Sequence, residues 1–154
     1  MDRSCAAQHG KRSIHSIAVS GDDVYASGIQ TDVLSTPLYW KNNTCTWLKP
    51  LDVTKNSYVA CVAVSGKDVY VGGYSTNSSN VRVGGCWKNG KWNGFEDSTS
   101  VYSLAVSGSD VYAGGVSNNS SGVSVAGYWK NSAWTAFTSL DPAQYSVVYS
   151  IVVK

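Results

Sequence analysis

This 154-residue chain is poor in charge and in histidine, and it has no long apolar run. Only 14% of its residues are charged and the net charge is +2, so it carries no basic stripe of the kind that binds nucleic acid. No apolar stretch approaches the roughly 18 residues that cross a bilayer as a helix, which argues against a membrane role. Met1 to Arg12 hold no apolar run and do not read as a secretory signal. His9 and His15 do not recur, and the four cysteines show no Cys-x-x-Cys or Cys/His spacing, so neither a metal site nor a cofactor is expected. Cys5, Cys45, Cys61 and Cys86 occupy four different places in the repeat described below. They read as free, partly buried thiols and not as a disulfide framework. That reading and the missing signal favour a cytoplasmic setting, while the Ser-, Asn-, Thr- and Tyr-rich composition is compatible with an extracellular one. No Gly-x-Ser-x-Gly elbow or phosphate loop is present. No helix is expected beyond a single turn at Asp141-Pro142-Ala143-Gln144.

What the chain does have is one pattern written three times and begun a fourth. Ser20-Gly21-Asp22-Asp23-Val24-Tyr25 is followed by Trp40-Lys41-Asn42 and Trp47. Ser65-Gly66-Lys67-Asp68-Val69-Tyr70 is followed by Trp87-Lys88-Asn89 and Trp92. Ser107-Gly108-Ser109-Asp110-Val111-Tyr112 is followed by Trp129-Lys130-Asn131 and Trp134. The anchors Ile17, Val62, Leu104 and Ile151 recur at intervals of about 40–50 residues, the period of a four-stranded propeller blade. Each unit opens on a strand such as Cys61-Val62-Ala63-Val64, in which large and small apolar residues alternate without charge. Such a strand is expected to be buried on both faces, with the small residues at inter-blade contacts. Ser-Gly-x-Asp then makes a tight hairpin turn in which Asp can bond its own backbone. A second strand ends in Ser27-Gly28, Gly72-Gly73 or Gly114-Gly115, where glycine signals a sharp exit or a bulge. A long polar connection follows, and a final hairpin closes the unit. Asn89-Gly90 predicts a two-residue turn that sets Trp87 opposite Trp92. Asn131-Ser132 is a weaker turn former, and Asn42-Asn43-Thr44-Cys45 reads as a four-residue loop.

At these residues the chain resembles bacterial tandem-repeat β-propeller proteins that carry Ser-Gly-x-Asp-Val-Tyr and Tyr-Trp-Lys-Asn-Gly in each unit. It is more loosely similar to kelch repeats, which share the double glycine and the later aromatics. The resemblance covers residues 14–154 and implies a propeller-type fold, but it transfers no catalytic residue. The expected architecture is all-β: an irregular segment 1–13, then one repeat domain 14–154 of three four-stranded antiparallel blades at about 14–56, 57–99 and 100–144. An extra strand at 145–154 is the first strand of an uncompleted fourth repeat. Three blades make half a propeller, so a homodimer closing a six-bladed ring is expected. A β-trefoil is the alternative.

The sequence points to a non-enzymatic binding or scaffold protein. A carbohydrate-binding lectin is one alternative, and a hydrolase whose site forms only in an assembled ring is another, with Glu96 and Asp97 as its adjacent acids. A polar peptide or a carbohydrate is the expected ligand class. The connections between second and third strands differ most among the copies, so binding is expected there, at Tyr74, Asn77, Asn80, Asn118 and Asn119. Trp87 and Trp129 are candidate sugar-stacking faces, although packing between blades is the favoured account of the tryptophans in a chain with two phenylalanines. Lys41, Lys88 and Lys130 read as solvated, and Asp23, Asp68 and Asp110 as turn residues. The Asn-x-Ser/Thr triplets at Asn42, Asn77, Asn118 and Asn119 read as polar loop.

Overall fold

The structure, a computed structural model, describes residues 10–97, 99–139, 141 and 143–154. Among them all regular structure is β. The strands are β1 (Lys11–Ser20), β2 (Asp23–Thr31), β3 (Ser35–Lys41), β4 (Thr44–Trp47), β5 (Ser57–Ser65), β6 (Asp68–Thr76), β7 (Arg82–Lys88), β8 (Lys91–Asp97), β9 (Thr99–Ser107), β10 (Asp110–Asn118), β11 (Ser124–Lys130) and β12 (Ala133–Ala136). They form three separate four-stranded antiparallel sheets, each in sequence order, and no sheet closes into a barrel. The blades are therefore propeller-like, and the trefoil alternative falls.

The turns follow from local chemistry. Ser20 pairs with Asp23, Ser65 with Asp68 and Ser107 with Asp110, leaving two residues in each turn. Gly21, Gly66 and Gly108 lead these turns at φ of 59°, 57° and 59°, a conformation that glycine takes without steric cost. In the last hairpins both central residues are left-handed: Asn89 and Gly90 at 50° and 83°, Asn131 and Ser132 at 50° and 74°. The first blade departs from expectation. Lys41 pairs with Thr44, so its turn is Asn42-Asn43 and not a four-residue loop. Trp40 consequently faces Cys45, and Trp47 pairs with Leu38.

Every first strand carries a β-bulge at the same place. Register breaks between Ile14 and Ser16, between Val59 and Cys61, and between Val101 and Ser103, so His15, Ala60 and Tyr102 are each extra residues. Gly28, Gly73 and Gly115 make room for it. A Cβ at any of them would run into the carbonyl oxygen of Ser13, Tyr58 or Ser100. The double glycine thus marks a bulge, which bends the strand and re-aims a side chain.

The core lies between blades. One cluster joins Tyr25 and Leu48 of the first blade to Val59, Val62, Val69, Val71 and Trp87 of the second. The other joins Cys61, Tyr70 and Cys86 of the second to Val101, Leu104, Ala113 and Trp129 of the third. Each large aliphatic chain fully buried this way contributes roughly 1.5–3 kcal/mol. Trp87 and Trp129 are entirely buried, each with its ring centroid 4.3 Å from that of its cross-strand partner, Trp92 or Trp134. The first strand buries Val62 in β5 and Leu104 in β9 while their small neighbours stay partly exposed, and in β1 the matching Ile17 is exposed, with no described blade packed over it. Residues 145–154 are not hydrogen-bonded as a strand, although they lie where the next first strand belongs. Strand β1 begins at Lys11, inside the segment expected to be irregular.

Candidate functional site

The residues that repeat most faithfully prove to be tied to one another. Lys41, Lys88 and Lys130 each place Nζ 2.8 Å from Oδ2 of Asp23, Asp68 or Asp110. The Nδ2 groups of Asn42, Asn89 and Asn131 donate to the other oxygen of the same carboxylates at 2.9, 2.7 and 2.7 Å. The Oδ1 atoms of these asparagines accept from the backbone N–H of Val24, Val69 and Val111 at 2.9 Å. Each ammonium also lies over a tyrosine ring, 5.6, 5.2 and 5.4 Å from the centroids of Tyr25, Tyr70 and Tyr112. Hydrogen bonds from the lysines and then from the asparagines hold the three carboxyls below their usual range. This cross-strand staple pins the second strand of each blade to its third. The lysines are paired and not merely solvated, and the aspartates reach across strands instead of bonding their own turns.

The opposite ends of the blades carry two grooves. One, of about 470 Å³, runs between the second and third blades beside Asn80, Arg82, Tyr102, Asn118, Ser124 and Tyr145. The other, of about 340 Å³, runs between the first and second, beside Asn56, Tyr74, Thr76, Asn80 and Arg82. They are the same groove in successive repeats. Tyr74, Thr76 and Arg82 stand where Val116, Asn118 and Ser124 stand one blade later. Asn80 and Arg82 line both.

Tyrosines of three elements gather here. His15 stacks on Tyr58 at 4.7 Å, Tyr58 on Tyr74 at 5.8 Å, and the Arg82 guanidinium lies 4.7 Å from the Tyr74 centroid. Tyr102 meets Tyr149 at 5.8 Å. Burial raises the phenol pKa of Tyr58, helped by Tyr74 and Tyr102, and it raises that of Tyr145, helped by Tyr102 and Tyr149. The bulges aim His15 and Tyr102 into this cluster. His15 Nδ1–H donates to the Val59 carbonyl at 2.6 Å.

Of the candidate loop residues, Tyr74, Asn80 and Asn118 line the grooves. Asn77 and Asn119 play a different part. Their Oδ1 atoms accept from the backbone N–H of Val81 and Val123, which shapes two matching loops. Trp87 and Trp129 have no exposed surface, so they offer a ligand no face and belong to the core. Arg82, Tyr58, Tyr102, Tyr145 and His15 were missed. The signal for the bulged pair was the glycine late in each second strand, Gly28 and Gly115, and for Arg82 it was a charge at the start of β7, just past an uncharged loop.

Cys61 and Cys86 are free and buried, and burial pushes their thiols up to about 12 and about 11. Cys45 is disulfide-bonded, so the free-thiol expectation fails there. His9, Cys5 and the side chains of Glu96 and Asp97 lie outside the described residues, but the two acids belong to β8 and not to a loop. Among the described residues no group of three His, Cys, Asp or Glu side chains comes together. In comparison with known proteins, no family model matches the chain and no curated protein matches it.

Proposed function

We propose that this is a non-enzymatic binding protein that takes a saccharide in the grooves at the loop end of its blades. One observation carries the reading: the two grooves are built from the same backbone positions but lined by different side chains. Aromatic faces stand beside amides and hydroxyls in them, Tyr102 and Tyr145 with Asn80, Asn118 and Ser124. A ring face covers the apolar side of a sugar, while amides and hydroxyls supply both donors and acceptors for its hydroxyl groups. Arg82 adds a planar donor fork held on Tyr74.

The described residues favour binding over catalysis. Both free thiols are protonated at neutral pH, because burial disfavours the thiolate nucleophile. The Nδ1 of His15 is engaged by a backbone carbonyl, and its ring stacks on Tyr58.

The test is a glycan array probed with the intact chain, followed by titration of the strongest glycan. Arg82→Ala and Asn80→Gly are expected to weaken binding by about tenfold or more each, with circular dichroism and melting temperature unchanged. A chain that binds no glycan overturns the ligand class. An affinity indifferent to both substitutions overturns the location. Binding confined to a polar-peptide array would keep the grooves and replace the saccharide.

A further inference from the structure

The inter-blade interface occurs twice inside the chain, so both of its halves are known in detail. From the first strands of the second and third blades, Val59, Val62, Val101 and Leu104 press against the preceding blade at 0%, 7%, 1% and 8% exposure. A small residue on the second strand of the preceding blade receives the incoming strand, as Gly72 receives Leu104. A serine on the preceding first strand adds a hydrogen bond, as when the Val62 N–H donates to Ser16 Oγ at 3.2 Å.

Each half is also present once without its natural complement. On β1, Ile14 and Ile17 hold the positions of Val59 and Val62, yet they are 55% and 66% exposed. Val19 and Val24 extend the same apolar face, and Trp40 is only half-buried where Trp87 and Trp129 are wholly so. At the other end, the receiving face of the third blade holds the chain's own tail. The Ile151 N–H donates to Ser103 Oγ at 3.1 Å, and Val148 and Ile151 lie over Gly114. The tail sequence Val148-Tyr149-Ser150-Ile151-Val152-Val153 repeats the pattern of Ile14-His15-Ser16-Ile17-Ala18-Val19.

We propose that the exposed face of β1 docks onto the third blade of a second copy of this chain, taking the slot that the copy's own tail fills. The third blade already holds the tail segment Val148-Tyr149-Ser150-Ile151, the counterpart of Ile14-His15-Ser16-Ile17, by the bond that joins blades inside the chain, so the occupant is specified by the fold itself. Two copies related by a twofold axis supply six blades and two identical junctions, within the range in which propellers close. The tail is an intramolecular competitor at high effective concentration, so it holds the single copy at low protein concentration and yields as concentration rises.

Light scattering or sedimentation equilibrium across a concentration series tests this. The intact chain is expected to move from 16.4 kDa toward twice that mass. Ile151→Asp, which unseats the tail, is expected to bring the dimer in at about tenfold lower concentration. A synthetic peptide of residues 145–154 added in trans is expected to dissociate the dimer, and it serves the same purpose should Ile151→Asp disturb folding. Ile17→Asp and Val19→Lys are expected to stay monomeric with unchanged circular dichroism, because both positions are exposed in the single copy. A dimer that survives both β1 substitutions overturns the proposal. So does a folded Ile151→Asp chain, or an intact chain, that is monomeric up to roughly 100 μM.

Discussion

At the end of the blades where β1 turns into β2, the three copies agree nearly atom for atom. An aspartate takes a lysine at 2.8 Å and an asparagine at 2.7–2.9 Å, and the lysine lies over a tyrosine. At the opposite end the copies agree in backbone and differ in side chain. Asn77 and Asn119 close matching loops, with Asn77 N–H donating to Val81 O and Asn119 N–H to Val123 O, both at 2.9 Å. Beside those loops, Tyr74, Thr76 and Arg82 become Val116, Asn118 and Ser124. The contrast separates two kinds of constraint. Hydrogen-bonding capacity that the motif consumes itself needs no ligand to explain it. A rigid backbone that holds changing side chains over an open groove is the arrangement that supports the proposed binding role.

The sharpest way to break this comparison is on a single strand. Trp87 and Arg82 both lie on β7, one at the constant end and one at the loop end. Trp87→Ala is expected to destabilise by about 3–5 kcal/mol, since it empties a fully buried site and leaves the Lys49 carbonyl without its 2.9 Å indole donor. Arg82→Ala is expected to stay within about 0.5 kcal/mol, because the side chain is exposed. Chemical denaturation of the two variants measures both. Equal losses would show that the loop end also carries stability. Next in size is Gly73→Ala, at the bulge where the constant half of the blade gives way to the variable half. Its Cβ has no room beside the Tyr58 carbonyl, so a loss of about 1–3 kcal/mol is expected, together with displacement of the Tyr58–Tyr74 stack.

The fold was legible because its constant elements are local. Gly-x turns, Asn-Gly, double glycines and alternating first strands all act within a few residues, and three copies made each signal redundant. Of two errors at the first blade, one came from reading the copies as equivalent and the other from reading them as different. Ile14 and Ile17 look like core residues and are exposed, because burial depends on a neighbouring blade that no local pattern encodes. The Asn42-Asn43 turn is two residues long, although Trp40 and Trp47 are spaced differently from the later pairs. The site was half legible. Loop variation pointed to Asn80 and Asn118, but the groove forms between blades, and residues from three elements meet in it only after the bulges aim them. The ion-pair staple was missed because it joins strands about twenty residues apart, while each of its members has an adequate local role.

Acid should reveal the constant end as a set. The carboxyls of Asp23, Asp68 and Asp110 lie below their ordinary 3.8 in the folded chain, so each pairing adds stability above that pH and loses it as pH falls through the lowered folded value. The lysine pKa values are raised above 10.5, so the same pairs persist until strongly alkaline pH. Melting temperature is therefore expected to fall more steeply below pH 4 in the native chain than in one carrying Asp→Asn at all three positions. Parallel acid limbs would show that the pairs contribute nothing measurable, as happens for many exposed ion pairs. Among single changes, Ser132→Gly should stabilise slightly, by up to about 1 kcal/mol. Ser132 holds φ of 74° where the second blade has Gly90, and it surrenders only a 3.3 Å bond from Asn93. Gly90→Ser should cost a similar amount, and a lack of mirror symmetry between the two would show that the hairpins are not interchangeable.

The smallest expected effect on stability is also the most informative about the site. Asn80 sits at φ of 64°, in the loop position that Gly122 occupies at 76° in the next blade. The Asn80 N–H donates to the Asn77 carbonyl at 3.0 Å, and the Gly122 N–H donates to the Asn119 carbonyl at 2.9 Å. The loop therefore already exists with glycine at that place, its bonds come from the backbone, and a left-handed conformation suits glycine better than asparagine. Asn80→Gly should leave the melting temperature within the range of ordinary surface changes, about 0.5 kcal/mol. Yet Asn80 is one of two residues lining both grooves, and the substitution strips its amide from each. Thermal denaturation and ligand titration on the same sample read the two consequences apart. Lost binding at unchanged stability places function in the side chains that vary over a constant backbone. A destabilised chain would mean that the asparagine amide holds the loop, and the loop end would then be scaffold like the other.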